Sequence, residues 1–276
     1  MQRVKRPRLG VFKFASCDGC QLSLLDCEEE LLAIAEQLDI GYFLEATRKP
    51  LEGEFDLALV EGSISAPEQL EQIQDVRKRS RYLVTIGACA TSGGIQALRN
   101  WGDVADFAHL VYAKPEYIQT LAKSSPIADH VNVDFELRGC PINKQQLVEL
   151  TTAFLVGRKP RFPSHSLCVD CKRAGIICVT VAHGTPCLGP ITHTGCGVLC
   201  PHFARGCYGC FGPANNPNVD AFARHCAVGG MSAGHFTRLL HTFNTWSKEF
   251  REARFPEGSH ASASMRQMIP LAMVSG

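Results

Sequence analysis

Eight of the fourteen cysteines in this chain fall between Cys168 and Cys210. That run opens with one C-x2-C pair, Cys168 and Cys171, and closes with another, Cys207 and Cys210. Thiols at this density are either oxidised to disulfides or hold metal. The N-terminus, MQRVKRPRLG, is basic, but no apolar signal core follows it and it has no adjacent arginine pair. It reads as a flexible basic arm, and the chain is expected to stay in the cytoplasm. Structural disulfides are rare there, so the cysteines point to metal or redox chemistry. A net charge of +1 gives no global field for nucleic acid or an anionic membrane. No run approaches the roughly 18 apolar residues of a membrane span.

The first half alternates short apolar runs with amphipathic segments. Strands are expected over 9–15, 55–60, 82–86 and, more weakly, 133–137. A helix is expected over 21–38 from Leu24, Leu25, Leu31, Leu32, Ala35 and Leu38 at helical spacing. A second helix starts near Pro67 and runs to about residue 79, proline suiting a first helical position. A third covers about 143–156. Alternating strand and helix predicts an α/β fold with a parallel sheet. Residues 158–166, with two prolines and three basic residues, read as a linker. The segment 168–217 is rich in Gly, Pro and Cys, and too poor in apolar pattern to make its own core. Small units of that kind need staples such as metal. A helical tail is expected over 219–250. The domains expected are therefore 1–157, 158–217 and 218–276.

Four N-terminal cysteines fall at equivalent places in this reading. Cys17 and Cys20 (SCDGC) follow the first strand, Cys89 (GACA) the third, and Cys140 (RGCPIN) the fourth. Loops at the carboxyl ends of parallel strands converge on one crevice, so the four thiols are expected to make one metal site. Cys27 lies inside the first expected helix and reads as a buried apolar side chain. Glu61 ends a strand on the same rim. It is either a solvated carboxylate or cap, or a proton relay or interface residue.

The dense segment divides into two sets of four. Cys168, Cys171, Cys178 and Cys187 are spaced x2, x6 and x8; Cys196, Cys200, Cys207 and Cys210 are spaced x3, x6 and x2. All-sulfur tetrahedral coordination suits zinc or iron–sulfur. Cys200-Pro201 favours iron–sulfur, because Cys-Pro ends the ligand runs of bacterial ferredoxins. In two-cluster ferredoxins the last Cys of a run ligates the other cluster, so the two sets can exchange a member. His165, His183, His193 and His202 are candidates to replace a thiolate, His165 foremost.

SCDGCQ, GACA, RGCPIN and CLGPITHTGCGVLCP…CYGC, in that order, resemble the small subunit of nickel–iron hydrogenases. The resemblance is to the cytoplasmic, delta-type group and covers roughly residues 8–213. It implies a flavodoxin-like N-terminal domain and three 4Fe–4S clusters. By the same resemblance the proximal ligands are Cys17, Cys20, Cys89 and Cys140. The medial ligands are Cys196, Cys200, Cys207 and Cys210, and the distal ones Cys168, Cys171, Cys178 and Cys187. Exported relatives have His where this chain has Cys168, and lack the counterpart of Cys200. An all-thiolate relay of three 4Fe–4S clusters should run at lower potential than one with a 3Fe–4S centre. Many relatives carry Glu where Gln21 stands here, which puts the proton role of that position in doubt.

The resemblance implies an oxidoreductase subunit without nickel ligands of its own. Its partners would be a nickel–iron large subunit, a flavin- and NAD(P)-binding subunit and ferredoxin-like subunits. NAD(P) or a ferredoxin-type protein would be the acceptor. No G-x-G-x-x-G follows a strand here, so nucleotide binding belongs to another chain. Three alternatives stand beside this expectation. One is the quinone-reducing subunit of complex I, whose first motif has adjacent cysteines and which lacks an eight-cysteine segment. Another is a zinc-stabilised interaction module without redox function, and the third a ferredoxin-like carrier acting alone.

Overall fold

The computed structural model describes residues 6–47 and 53–256. Five strands form its sheet: β1 (Arg8–Lys13), β2 (Asp39–Phe43), β3 (Phe55–Glu61), β4 (Ser80–Ile86) and β5 (Phe135–Leu137). Every neighbouring pair is parallel, and the order is β2-β1-β3-β4-β5. That is the flavodoxin-like order, with its switch point between β1 and β3. Four strands coincide with the apolar runs of the sequence. The fifth, β2, gave no such signal: DIGYF is short, carries Asp39 and Gly41, and lies at the sheet edge with Ile40 and Tyr42 only half-buried.

Alternate residues of each strand serve opposite faces. Leu9, Val11, Leu57, Leu59, Val84 and Ile86 pack on one face. Phe12, Ala58, Val60 and Leu83 pack on the other. The expected helix over 21–38 is two helices, α1 (Gly19–Leu25) and α2 (Glu28–Gln37). Between them Cys27 is fully buried and its Sγ donates to the Ser23 carbonyl at 3.3 Å, while Glu28 turns to φ 32°. Leu24 and Leu38 still reach the same core, so helical spacing survives the break.

Helix α3 (Pro67–Arg79) starts on Pro67, and the Gln69 side chain accepts from the N–H groups of Ser65 and Ala66 at 2.8 and 3.0 Å. Its last turn, Arg77 to Arg79, is basic, which complements the helix dipole. Helix α4 (Gly87–Ser92) begins where β4 ends, and α5 (Val104–Val111) is capped by Asp103. Helix α6 (Lys144–Leu155) is capped by Asn143, which accepts from Gln146 N at 3.1 Å.

Residues 158–166 form no helix or strand. Six short helices follow: α7 (Leu167–Arg173), α8 (Val179–His183), α9 (Leu199–His202), α10 (Val219–Val228), α11 (Ala233–Leu240) and α12 (Lys248–Arg251). The expected helical tail is thus three helices, separated by residues 229–232 and by residues 241–247. Residues 1–5 of the basic arm and the tail beyond 256 lie outside the described residues.

The cysteine-rich segment makes no core of its own, as its sparse apolar pattern led one to expect; it shares one with the tail. Leu167, Leu188, Ile191 and Val198 pack with Val219, Phe222, Phe236, Leu240 and Phe250 in one cluster. The tail also packs against the helical turn Ile95–Trp101 that follows α4. Trp101 Nε1 donates to Thr245 Oγ1 at 2.8 Å, and the Trp101 ring stacks on His241 with centroids 4.0 Å apart. Trp246 meets Trp101 edge-on, flanked by Lys123 and Arg251 at 5.2 and 4.9 Å. Among the described residues no helix is long and apolar enough to cross a membrane. Phe236→Ala should cost about 3–5 kcal/mol and loosen the cysteine-rich segment with the tail. Denaturant unfolding read by tryptophan fluorescence, with limited proteolysis, tests this; an unchanged midpoint would refute the shared core.

Candidate metal centres

The carboxyl ends of β1, β4 and β5 bring four cysteines to one rim. Cys17 lies in the loop after β1, and Cys20 in the first turn of α1. Asp18 between them takes φ 66° and is held by Lys13 Nζ at 2.6 Å and Ser16 Oγ at 3.3 Å. Cys89 sits on α4 and Cys140 in the loop after β5. The packing is close: a Cβ on Gly87 would lie 2.3 Å from Cys20 Sγ, and one on Gly94 would lie 2.6 Å from Cys89 Sγ. Both glycines also have positive φ, so no other residue fits easily.

The four thiols lie in one another's fields. Burial pushes the Cys20 thiol up first, then Glu61, with smaller contributions from Cys89 and Cys140. Burial likewise raises Cys89 to about 11, opposed by a hydrogen bond from Gln96 and helped by Cys140 and Cys17. Cys140 is raised by burial, then by Cys17 and Glu61. Cys27 stays apart, its nearest charges being Lys144, Glu30 and Asp26.

Glu61 is not a solvated carboxylate. It is 2% exposed, and its oxygens accept from Cys20 N at 3.1 Å and Gln21 N at 3.2 Å. It therefore caps α1 from the end of β3. Burial raises its pKa, and these hydrogen bonds oppose that. The Gln21 side chain, 1% exposed, lies against the carboxylate with its Nε2 outside hydrogen-bonding geometry.

The dense segment gathers its thiols in two further groups. Cys168 is raised by burial, then by Cys187 and Cys178. Cys171 reaches about 11 through burial, then Cys168, Cys187, Cys178 and Cys196. Cys210 reaches about 12 through burial, then Cys196, Cys140 and Cys200. Cys200 is raised by burial, then by Cys196 and Cys187. Cys207 is raised by burial, with Cys187 and Cys210 adding to it. Several contacts cross between the groups and the rim: Cys207 N donates to Cys187 Sγ at 3.2 Å, Cys171 lies in the field of Cys196, Cys200 in that of Cys187, and Cys210 in that of Cys140.

The histidines are engaged elsewhere or exposed. His165 Nε2 pairs with Asp170 Oδ1 at 2.8 Å, and His193 Nδ1 lies 2.6 Å from the Thr194 carbonyl oxygen. His183 and His202 are exposed. Two supporting residues carried no sequence signal. Asn244, 2% exposed, donates through Nδ2 to the Gly209 and Cys210 carbonyls at 2.8 and 3.1 Å. Gln96 donates to Ala15 O at 2.9 Å while touching Cys89. Among the described residues no three Cys, His, Asp or Glu side chains close on a single metal ion. The donor sets are all-thiol, a chemistry that suits zinc or iron–sulfur coordination.

The family model described as "NADH ubiquinone oxidoreductase, 20 Kd subunit" matches residues 17–154. Sulfhydrogenase 2 subunit delta of Pyrococcus furiosus is 36% identical, over 87% of this chain and 100% of that protein. The chain belongs to the hydrogenase small-subunit family. A vhu subunit of the F420-non-reducing hydrogenase of Methanocaldococcus jannaschii is 30% identical, covering 80% of this chain and 90% of the relative. Among solved structures, a chain of an NAD+-reducing NiFe hydrogenase superposes with a TM-score of 0.54 at 33% identity, covering 58% of this chain and 96% of that one. A NiFeSe hydrogenase of Desulfovibrio vulgaris Hildenborough matches with a TM-score of 0.51 at 14% identity, which shows the fold alone. For this hydrogenase subunit the family model ends at residue 154, before the first cysteine of the dense segment.

Exposure orders the thiols of the metal-free subunit. Cys17 and Cys178 are exposed, whereas Cys20 and Cys207 are buried and raised. Iodoacetamide should therefore label Cys17 and Cys178 first and Cys20 and Cys207 last. A mass-spectrometric time course reads the order, and early labelling of Cys20 would contradict the packing.

Proposed function

We propose that this hydrogenase subunit relays single electrons through three 4Fe–4S clusters. The relay runs between the nickel–iron site of a large subunit and a flavin- and NAD(P)-binding or ferredoxin-like redox subunit. Cys17, Cys20, Cys89 and Cys140 hold the proximal cluster. Cys196, Cys200, Cys207 and Cys210 hold the medial one, and Cys168, Cys171, Cys178 and Cys187 the distal one. One observation supports this reading: four thiols gather at the carboxyl rim of the sheet and eight more follow in contact with them, through Cys187 with Cys207 and through Cys140 with Cys210; the division of the eight into two sets follows their spacing.

Bound clusters supply one-electron redox chemistry, their potentials tuned by ligands, hydrogen bonds to sulfur and burial. The chain's own residues set those conditions. Glu61 clamps the first ligand loop through two backbone N–H groups. Gly209 N donates to Cys207 Sγ at 3.3 Å, and Cys207 N to Cys187 Sγ. Both donors favour the charged form of sulfur. The large subunit would cover the rim bearing Cys17, Cys20, Cys89 and Cys140. The relay would work in the cytoplasm, with NAD(P) or a ferredoxin-type protein as acceptor, the NAD-reducing hydrogenases among its relatives giving support.

A complex-I-like role has the description of the family model in its favour. Against it stand SCDGC, without adjacent cysteines, and the eight-cysteine segment.

Anaerobic purification with whatever co-purifies, then metal analysis, tests the proposal. About twelve irons and as many sulfides per chain are expected, with nickel in a larger partner. Two or three zincs without sulfide would make the chain a structural metal protein. Cys200→Ser should convert the medial centre towards a 3Fe–4S form of higher potential. Electron paramagnetic resonance during a redox titration reads this change; a spectrum identical to wild type would remove Cys200 from the ligand set.

A further inference from the structure

We propose that Gln96 is a positioning residue of the first cysteine set. Its side-chain amide ties the loop bearing Cys17 to the helix bearing Cys89, and donates a hydrogen bond to the Cys89 sulfur that raises the potential of the centre held there. This rests on the relay reading above and assigns one side chain to the tuning of its first centre.

Helix α4, which bears Cys89, ends at Gly93 and Gly94, both at positive φ (77° and 65°). Gly94 N donates to the Ala88 carbonyl at 3.1 Å, which closes the turn. Gln96 follows in the helical turn Ile95–Trp101. The packing admits no side chain at residue 94: a Cβ there would meet Gln96 Oε1 at 2.5 Å, Cys89 Sγ at 2.6 Å and Cys89 Cα at 2.8 Å. Gln96 and the sulfur thus border one point. From there Gln96 Nε2 donates to Ala15 O at 2.9 Å, across a separation of 81 residues in sequence. Ala15 lies just ahead of Cys17, and its backbone is already held by Ser63: Ala15 N donates to Ser63 O at 3.1 Å, and Ser63 N to Ala15 O at 2.9 Å. The Gln96 amide therefore grips a fixed piece of the first ligand loop while it lies against the third ligand.

A primary amide carries two hydrogens on one nitrogen. One serves Ala15 O, which leaves the other for sulfur. The amide is fixed in this sense, because the reversed one would set its carbonyl oxygen against the Ala15 acceptor. Gln96 Oε1 is buried with no partner among the described residues. A fold leaves a polar atom in that condition only where something else holds the group in place, and here the donations of Nε2 do so. The hydrogen bond from Gln96 opposes the burial-driven rise of the Cys89 thiol, which is the sign of a donor to sulfur. Burial raises Cys20 too, but its donor is the backbone N–H of Ile142. Gln96 is a donor that a substitution can remove. An N–H aimed at a ligand sulfur stabilises the state with more negative charge, so it favours the reduced centre.

The test uses the whole complex, labelled with glutamine that carries nitrogen-15 in its side-chain amide. Pulsed electron paramagnetic resonance of the reduced complex should show a nitrogen-15 coupling to the centre whose signal Cys89→Ser alters. That coupling should survive Gln21→Leu and vanish in Gln96→Leu. In a redox titration of the same signal, Gln96→Leu should lower the reduced-to-oxidised ratio at a fixed potential about tenfold, the worth of one hydrogen bond to a charged acceptor. Gln96→Glu, equal in shape but without the amide hydrogens, should shift the ratio the same way, and it serves where Gln96→Leu takes up no iron. The other two centres should titrate as in the wild type, which a general loosening of the fold would not allow. A wild type with iron but no nitrogen-15 coupling on that centre would overturn the role of Gln96. So would variants with full iron content that keep the coupling or the wild-type ratio. A wild-type chain without iron and sulfide would instead overturn the relay itself.

Discussion

A thiolate in apolar surroundings is poorly solvated, and a second thiolate beside it worsens the balance. In this chain burial is the leading cause of the upward shift at Cys20, Cys89, Cys140, Cys168, Cys171, Cys200, Cys207 and Cys210. The metal-free protein therefore holds most of these groups as neutral thiols. A bound metal cation would reverse that preference, since it would offer each sulfur a positive neighbour and release its proton. The rest of the architecture serves this condition. The sheet places three loops on one rim, glycines admit sulfur atoms at close range, and backbone N–H groups point at Sγ.

The two halves of the molecule are coupled where the sulfurs meet. Cys140 belongs to the sheet and Cys210 to the cysteine-rich segment, yet each lies within the other's reach. Asn244 sits behind Cys210 and ties that backbone to the tail. Trp101 and Trp246 then pack the tail against the turn at residues 95–101. The separation between successive cysteine groups is thereby set by packing on both sides of the junction.

Much of this was legible in the sequence. Apolar runs marked β1, β3, β4 and β5, because buried strands need little but continuous apolar residues. The cysteine groups followed from placing SCDGC, GACA and RGCPIN at strand ends. Other features left no local trace. DIGYF pairs at an edge, where neighbouring backbone rather than its own pattern makes it a strand. The break at Cys27 preserves the apolar face on both sides, so periodicity runs through it. Asn244 and Gln96 are ordinary polar residues whose partners lie far along the chain or across a turn. The segment's sparse apolar pattern signalled that it has no core of its own, but not which tail residues complete one, because half of that core is written after residue 218.

That divided core has a consequence for how the protein is made. A chain emerges from its amino end, and domains fold largely in that order. The sheet, complete at Leu155 with α6, can close while synthesis continues. The cysteine-rich segment cannot, because Phe222, Phe236 and Phe250 arrive after it. Its eight thiols thus remain reachable until residues 219–250 have emerged, and the packing of those residues then closes over them.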